Sequence, residues 1–498
     1  MPIPPSLDRR VGLSMRALHR ARFGLPWLLG VARSFLVSFI AFAVTLRVVP
    51  GVAVPSDGFA EVALLVIAVL LVGACLRPFL TRLTVLTGVV GLLFFGLLTQ
   101  AIVLTVALAV VPGIQPIAFP EIIVVGWLAA LVAAIVNWAI DASSDEVFFG
   151  QVMRRALSTA RRTPVSGPGL LVVQLDGVAE PLIRQASASG EIPFLTSLLR
   201  SGSHRLRCWE TGLPSTTPAG QARLLHGRDR SIPAFRWYDK AEGRMLVCNR
   251  PADAAEVEDS FSDGRGLLAD GGASVSNLFS GDAPLRALTM SRMRSAGPDR
   301  GAADYAVSRT GLLRSLVLFV GSIFTEWFQA RRQLRRNVVP RVDRGGSFLL
   351  LRGLTTVVLR DLNVAIVADQ LARGVPVIYL DLVDYDEVAH HTGPTRPEAM
   401  RTLESLDRTL RFFHDLAGEV GRDYELVIVS DHGQTQGSTF AQLEGVTLAE
   451  VVRALAGGSG ESESTPAEVL GPARLLSDAA GGPLRTAASR LVRARGGN

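Results

Sequence analysis

The chain has 498 residues, 48% of them hydrophobic, and 51 Lys and Arg against 45 Asp and Glu give a formal net charge of +6. That length holds more than one domain, and its positive charge lies in Arg-rich segments flanking hydrophobic runs, not in an aromatic-basic repeat; the pattern points to membrane lipid as a partner and away from nucleic acid. The three cysteines, Cys75, Cys208 and Cys248, form no CxxC pair and no even-numbered framework, which argues against a disulfide scaffold and a cysteine metal site.

Residues 1–33 form a basic N-terminal segment, and residues 34–140 are almost continuously apolar, as a transmembrane module would be. About four helical spans are predicted: Ser34 to about Val54, interrupted by Arg47 and Pro50; Phe59 to Leu76; one within the charge-free stretch Leu83–Val111; and Ile122–Ile140. The prolines of Pro112–Pro120 separate the last two, because proline cannot continue a helix. Arg9, Arg10, Arg16, Arg20, Arg22 and Arg33 precede the first span, Arg77 and Arg82 lie between the second and third, and Arg154, Arg155, Arg161 and Arg162 follow the fourth. Four spans put all three basic segments on one side, which the positive-inside rule makes cytoplasmic. The expectation is a multi-pass plasma-membrane protein with its large domain inside and no cleavable signal peptide. With its short loops and its segment LRPFLTRLTVLTGVVGLLFFGLL, the module resembles the phage-holin-type four-helix membrane family; a plain membrane anchor is the simpler role.

Residues 141–166 read as a polar, Arg-rich linker. Beyond them, β-branched and Leu-rich runs alternate with helical patterns, so residues 167–456 are expected to form an α/β domain with a mostly parallel central sheet. Three of the runs end in metal-ligand residue types. LLVVQL (170–175) leads to Asp176-Gly177; VPVIYLDLV (375–383) leads to Asp384, Asp386 and His390; ELVIVS (425–430) leads to Asp431-His432-Gly433. Ligands of open α/β sheets bind beyond the carboxyl ends of strands, where these acids and imidazoles can converge on divalent metal. In TGLPSTTPAGQARLLHG (211–227), Thr217 is placed as helix N-cap and Pro218 as the first helical residue. A hydroxyl there faces the anion-attracting end of a helix, and a neighbouring metal would make it a nucleophile.

LDG at 175–177, PSTTPAG with LLHG, the DxxxHxxGP pattern of Asp386–Pro394 and SDHG at 430–433 occur in an order and at separations that resemble the type I phosphodiesterase / nucleotide pyrophosphatase branch of the alkaline-phosphatase superfamily. The resemblance covers roughly residues 165–445. It implies two divalent metal ions, usually zinc in this family: one held by Asp176, Asp431 and His432 with Thr217 bridging, the other by Asp386 and His390. It also implies in-line attack by Thr217 on phosphorus and hydrolysis of the resulting phospho-enzyme. The substrate class is a phosphate ester, most naturally a diester. A phospho-group transferase of the same superfamily, and a holin-like membrane protein with a silent domain, are the alternatives.

The pattern has two departures. The family's second metal site has a late His, and no histidine follows His432; His391 would point away from His390 on an extended segment, and His414 falls in a helical pattern as a surface or packing residue. Gly220 and Gln221 stand where nucleotide pyrophosphatases carry a phosphate-contacting Asn, which argues against a nucleotide substrate. The tail 457–498 is Gly-, Ser- and Ala/Arg-rich and reads as flexible or weakly helical, so the domain is expected to be truncated at its C-terminus. The segment 311–336 pairs an apolar helix with a basic cluster and reads equally as an interfacial helix or a core helix with a solvated end. Arg223, Arg228 and Arg230 read as a solvated helix end.

Overall fold

The structure, a computed structural model, describes residues 25–49, 59–111, 119–140, 144–160, 165, 167–228, 232–295, 300–307, 311–338 and 352–456. The arginines before residue 25, residues 112–118 of the prolyl turn, Arg161, Arg162, Arg230 and the tail 457–498 lie outside the described residues. The chain divides into two compact units, residues 1–78 with 98–144, and residues 79–97 with 145–498.

The first unit contains α1 (Leu25–Val48), most of α2 (Phe59–Val110) and α3 (Phe119–Ile140). Phe42, Leu46, Leu65, Val69, Leu104 and Val125 belong to its buried apolar cluster. Around Phe59–Leu76 the helix is apolar on every side: Val62, Leu65, Val66 and Val69 are buried while Leu64, Ile67 and Leu71 are exposed. A helix without a polar face suits a nonpolar solvent better than water. Among the described residues, Phe59–Leu76, 18 residues of mean hydropathy 2.7, is the one stretch long and apolar enough to cross a membrane; Ser34–Val48 and Pro120–Ala133 are apolar but shorter. These helices do not support the expected multi-pass arrangement. The second and third spans, expected as separate helices, are joined as one unbroken α2. Between Leu76 and Leu83 the chain has Pro78 but no Gly, Asn or Asp, the residues that most readily take a turn.

The second unit is an α/β fold. Its strands β1 (Gly169–Leu175), β4 (Ala273–Val275), β5 (Leu285–Ala287), β6 (Val377–Leu382) and β7 (Tyr424–Val429) form a sheet in the order β5-β4-β6-β1-β7. Every pairing in it is parallel. Around the sheet lie α4 (Ser144–Thr159), α5 (Glu180–Ser189), α6 (Pro193–Arg200), α7 (Thr217–His226), α8 (Pro251–Phe261), α9 (Arg300–Val307), α10 (Leu312–Arg335), α11 (Arg360–Arg373), α12 (Asp384–Thr392), α13 (Pro397–Ala417), α14 (Phe440–Glu444) and α15 (Leu448–Ala456). A small antiparallel hairpin, β2 (Arg236–Asp239) and β3 (Arg244–Val247), precedes α8. The apolar runs become central strands because both faces are covered: Leu171, Val173, Ile378 and Leu380 are buried in one cluster, Val172 and Tyr379 in another.

Where a polar linker was expected, α4 packs into the domain. SDEVFFGQVMRRALST repeats apolar residues at helical spacing, burying Phe148 and Ala156 and stacking Phe149 on Phe412 at 4.8 Å between ring centres. Asp145 at its start joins Arg314 of α10 (2.7 Å), Arg408 of α13 (3.4 Å) and Arg360 of α11 (3.8 Å). Burial raises the Asp145 carboxyl, but the charges of Arg360, Arg314 and Arg408 outweigh it and hold the group below its usual value. The stabilisation is therefore full above the unfolded carboxyl pKa of about 3.9 and is lost as pH falls through the lower folded value. Replacing Asp145→Asn leaves Arg314 and Arg360 to share Asp361, with Arg408 kept by Glu404, and is expected to cost about 1–3 kcal/mol, read from urea unfolding near neutral pH. An unchanged midpoint would show that the arginines are satisfied elsewhere.

Cys248 is buried, and burial with the nearby Asp253 charge pushes its thiol up to about 12. Cys208 is exposed. Native protein treated with iodoacetamide near pH 8 is expected to label at Cys208 and to spare Cys248 until unfolded, since the thiolate is the reactive form. Equal labelling of both under native conditions would contradict this packing.

Candidate metal centre and nucleophile

The carboxyl ends of three adjacent strands build the site. β1 lies between β6 and β7, with Leu175 opposite Leu382 and Gln174 opposite Val429, so the three strands end at one level. The Asp176 N–H donates to Leu382 O at 3.2 Å. Ser430 ties the other pair of ends together: its hydroxyl donates to His432 O (2.7 Å) and accepts from the Val178 N–H (3.0 Å). Gly177 turns the chain with φ +71, and a Cβ there would stand 2.2 Å from Asp386 Oδ1. Both the conformation and the space require glycine.

Thr217 Oγ1 lies 3.1 Å from His432 Nε2 and 3.5 Å from Asp176 Oδ1. His432 Nε2 is 3.3 Å from Asp176 Oδ1 and 3.7 Å from Asp431 Oδ2. Asp176, Asp431 and His432 are all buried, and one ligand atom from each falls within 4.8 Å of the others. Thr217 is the first residue of α7 and Thr216 is the N-cap, one residue earlier than the sequence suggested. The reason is the backbone bond from Gly220 N–H to Thr216 O at 2.9 Å, which makes Thr216 the first carbonyl acceptor of the helix. Thr217 still sits at the positive end of the helix dipole.

Asp386 and His390 share one face of α12 at i,i+4 spacing, with Oδ2 and Nε2 3.0 Å apart. The segment is helical, not extended, so the adjacent His391 is turned about 100° around the helix from His390. Gln434 Nε2 donates to Asp386 Oδ1 at 2.6 Å and to Asp386 O at 3.2 Å. Asp384 opens the same helix but is a different kind of group: its carboxyl is pushed up to about 7 by burial, against the opposing charge of Arg360.

Burial and mutual repulsion dominate the electrostatics. Burial pushes Asp176 well up, with the charges of Asp431, Asp386 and Asp381 adding to it. Burial also raises Asp431, against the pull of His432. Asp386 goes the other way: burial raises it, but His390, His432 and Gln434 together hold it below the usual carboxylate range. Both Asp431 oxygens are buried with no hydrogen-bond donor among the described residues. Orphaned, crowded carboxylate oxygens beside an imidazole fit a divalent cation, which would supply the missing positive charge and the missing partner.

Two residues of the site escape motif reading. Asp381, fully buried in β6, accepts a 2.7 Å hydrogen bond from Gln221 Nε2 of α7, while Gln221 Oε1 accepts from the Leu278 N–H at 2.8 Å. An acid inside the apolar run VIYLDL was the available signal, since strand interiors rarely carry unpaired charge. Gln434 carried none. The remaining basic and imidazole side chains lie elsewhere. Arg223 donates to Leu213 O, Arg228 pairs with Asp263, and His414 sits edge-on to Phe194.

The family model described as type I phosphodiesterase / nucleotide pyrophosphatase matches residues 170–463, beginning after the N-terminal helices. No curated protein matches the chain.

Proposed function

Because the chain belongs to the type I phosphodiesterase / nucleotide pyrophosphatase family, we propose that it is a membrane-attached, metal-dependent phosphodiester hydrolase with Thr217 as nucleophile. The observation that carries this reading is the position of Thr217 Oγ1, at a helix N-terminus and within hydrogen-bonding range of His432 and Asp176. Asp176, Asp431 and His432 would hold one divalent cation, and Asp386 and His390 a second, zinc being the family's usual ion. Such cations, when bound, supply the positive charge that lowers the pKa of a hydroxyl or water and stabilises phosphoryl oxygens.

The chain's own groups account for the rest of the chemistry. Thr217 Oγ1 stands beside His432 Nε2 and Asp176 Oδ1, the atoms that would hold the first cation, and its proton would leave to solvent. It attacks phosphorus, the P–O bond to the leaving alcohol breaks, and the remaining phosphoryl ester is carried on Thr217. Water then attacks that phosphorus, the Thr217 oxygen departs and takes up a proton, and a phosphomonoester is released. The amides of the first turn of α7 favour the negative charge at each stage.

For bis-p-nitrophenyl phosphate, the expected products of the cation-loaded protein are p-nitrophenolate and p-nitrophenyl phosphate, formed without an added alcohol and stopped by chelator. Turnover that required an acceptor alcohol would make the protein a transferase. No turnover with any divalent cation would leave a silent domain.

Attachment is proposed through the Phe59–Leu76 helix; with that one span the arginines before it and after it fall on opposite sides, so their distribution no longer selects a side for the domain. α10 supports a lipid partner. It buries Ser315 and Glu326 on one side and exposes Val320, Phe324, Trp327 and Phe328 on another, followed by Arg331, Arg332 and Arg335. Apolar residues with a basic end suit an anionic membrane surface. A fragment beginning at residue 144 that ignored anionic vesicles at low salt would rule this contact out.

A further inference from the structure

We infer that Gln434 completes the second cation site together with Asp386 and His390, and that the resulting oxygen-rich site takes a harder cation, manganese or magnesium, in preference to zinc. The inference rests on the two-cation reading above and concerns which side chains and which ion that second site uses.

Asp386 and His390 provide two protein ligands, and a tight site needs more. No further imidazole is on hand among the described residues. His204 binds Leu426 O, His226 binds Glu258, and His414 packs on Phe194. His391 projects from α12 in a different direction from His390. None of the seven histidines follows His432 in the sequence.

The side chain that does reach the pair is Gln434, two residues past His432. Its amide lies 2.6 Å from Asp386 Oδ1. The NH2 end faces the carboxylate, as charge demands, and the Asp386 carbonyl oxygen at 3.2 Å. A half-turn of the terminal amide exchanges Nε2 for Oε1, so that the same side chain presents an acceptor to a cation on Asp386. The backbone fixes where this side chain starts: Gly433 lies against Ala179, where a Cβ would stand 2.9 Å from the Ala179 Cβ. Exchanging an imidazole for an amide oxygen changes the donor set from nitrogen-rich to oxygen-rich. Carboxylate and carbonyl ligands suit manganese and magnesium, whereas imidazole suits zinc.

The test is cation binding to full-length protein in detergent, stripped with chelator and equilibrated with zinc or manganese. Bound metal is counted by mass spectrometry, with manganese also followed by its electron paramagnetic resonance. Wild type is expected to bind two ions, one of them better as manganese than as zinc. Gln434→Ala should weaken that one site by at least ~10-fold and leave the other intact. Gln434→Glu separates the two roles available to the amide. A ligand oxygen is retained, so manganese should bind as tightly as in wild type or more tightly. If Gln434 only donated to Asp386, the new carboxylate would repel it and Gln434→Glu would bind no better than Gln434→Ala; that result, or unchanged binding in Gln434→Ala, overturns the inference. Gln434→His should move the preference toward zinc. Failure of the underlying reading looks different: wild type would bind no cation, and Asp431→Asn would change nothing.

Discussion

Thr217→Ala is expected to lower turnover of bis-p-nitrophenyl phosphate by about 10³-fold or more, the scale on which removal of a nucleophile acts. The substitution removes the one hydroxyl placed between His432 and Asp176. It leaves the buried ligand set of Asp176, Asp431 and His432 in place, so cation content and thermal stability should stay near wild type. Thr217→Ser, which keeps the oxygen and loses only a methyl, should retain a measurable fraction of activity. The combination of lost turnover, kept cation and serine rescue is what a nucleophile predicts. A hydroxyl with only a structural role would show lost stability in the alanine variant. Thr217→Ala turning over within a few-fold of wild type would remove Thr217 from the mechanism.

Gly220→Asn is the second large effect. The resemblance places a phosphate-contacting Asn at the Gly220–Gln221 pair, so an Asn at 220 is one way to restore that family feature. The structure predicts the opposite. A Cβ at position 220 would stand 2.8 Å from Asp431 Cβ and 2.9 Å from Asp431 O, contacts that include backbone and cannot be relieved by turning a flexible side chain. α7 packs directly on the end of β7, and the missing side chain makes that approach possible. Forcing a larger residue into it should cost about 1–3 kcal/mol, by the usual measure of overpacking. It should also displace Asp431, weakening the cation site that this acid helps to form. The expected result is a lower melting temperature, reduced cation affinity and no gain of activity on a nucleotide diester. A stable variant with new nucleotide activity would contradict the packing of α7 against Asp431.

The motifs were legible because each sits where a strong pattern stops. Asp176, Asp386 with His390, and Asp431-His432 follow apolar runs that can only be buried strands, and the parallel order β6-β1-β7 brings those ends side by side. Gly177 is readable afterwards as the residue whose lack of a Cβ lets Asp386 approach the β1 turn. What could not be read were partnerships across long sequence separations. Ser430 reaches Val178, Gln221 reaches Asp381 and Gln434 reaches Asp386 through single side chains that leave no periodicity behind. The composition of α4 reads as a linker because charged residues dominate it, while its apolar residues, spaced for one face, do the packing. The apolar N-terminal region differs from its hydropathy pattern in another way. Hydropathy marks which residues avoid water, but the backbone continues as one helix through Arg77–Arg82, where charge alone suggested a break.

The central claim is that Asp176, Asp431 and His432 form a cation site beside Thr217. Its most direct test is the count of bound zinc in stripped and reloaded full-length protein, wild type against Asp431→Asn. Asp431 is the choice because both of its buried oxygens lack a donor among the described residues, and the asparagine keeps its shape while removing its charge. The account predicts that wild type binds zinc at this site and that Asp431→Asn loses that ion with its fold intact. Equal zinc in the two proteins, or none in the wild type, would contradict it.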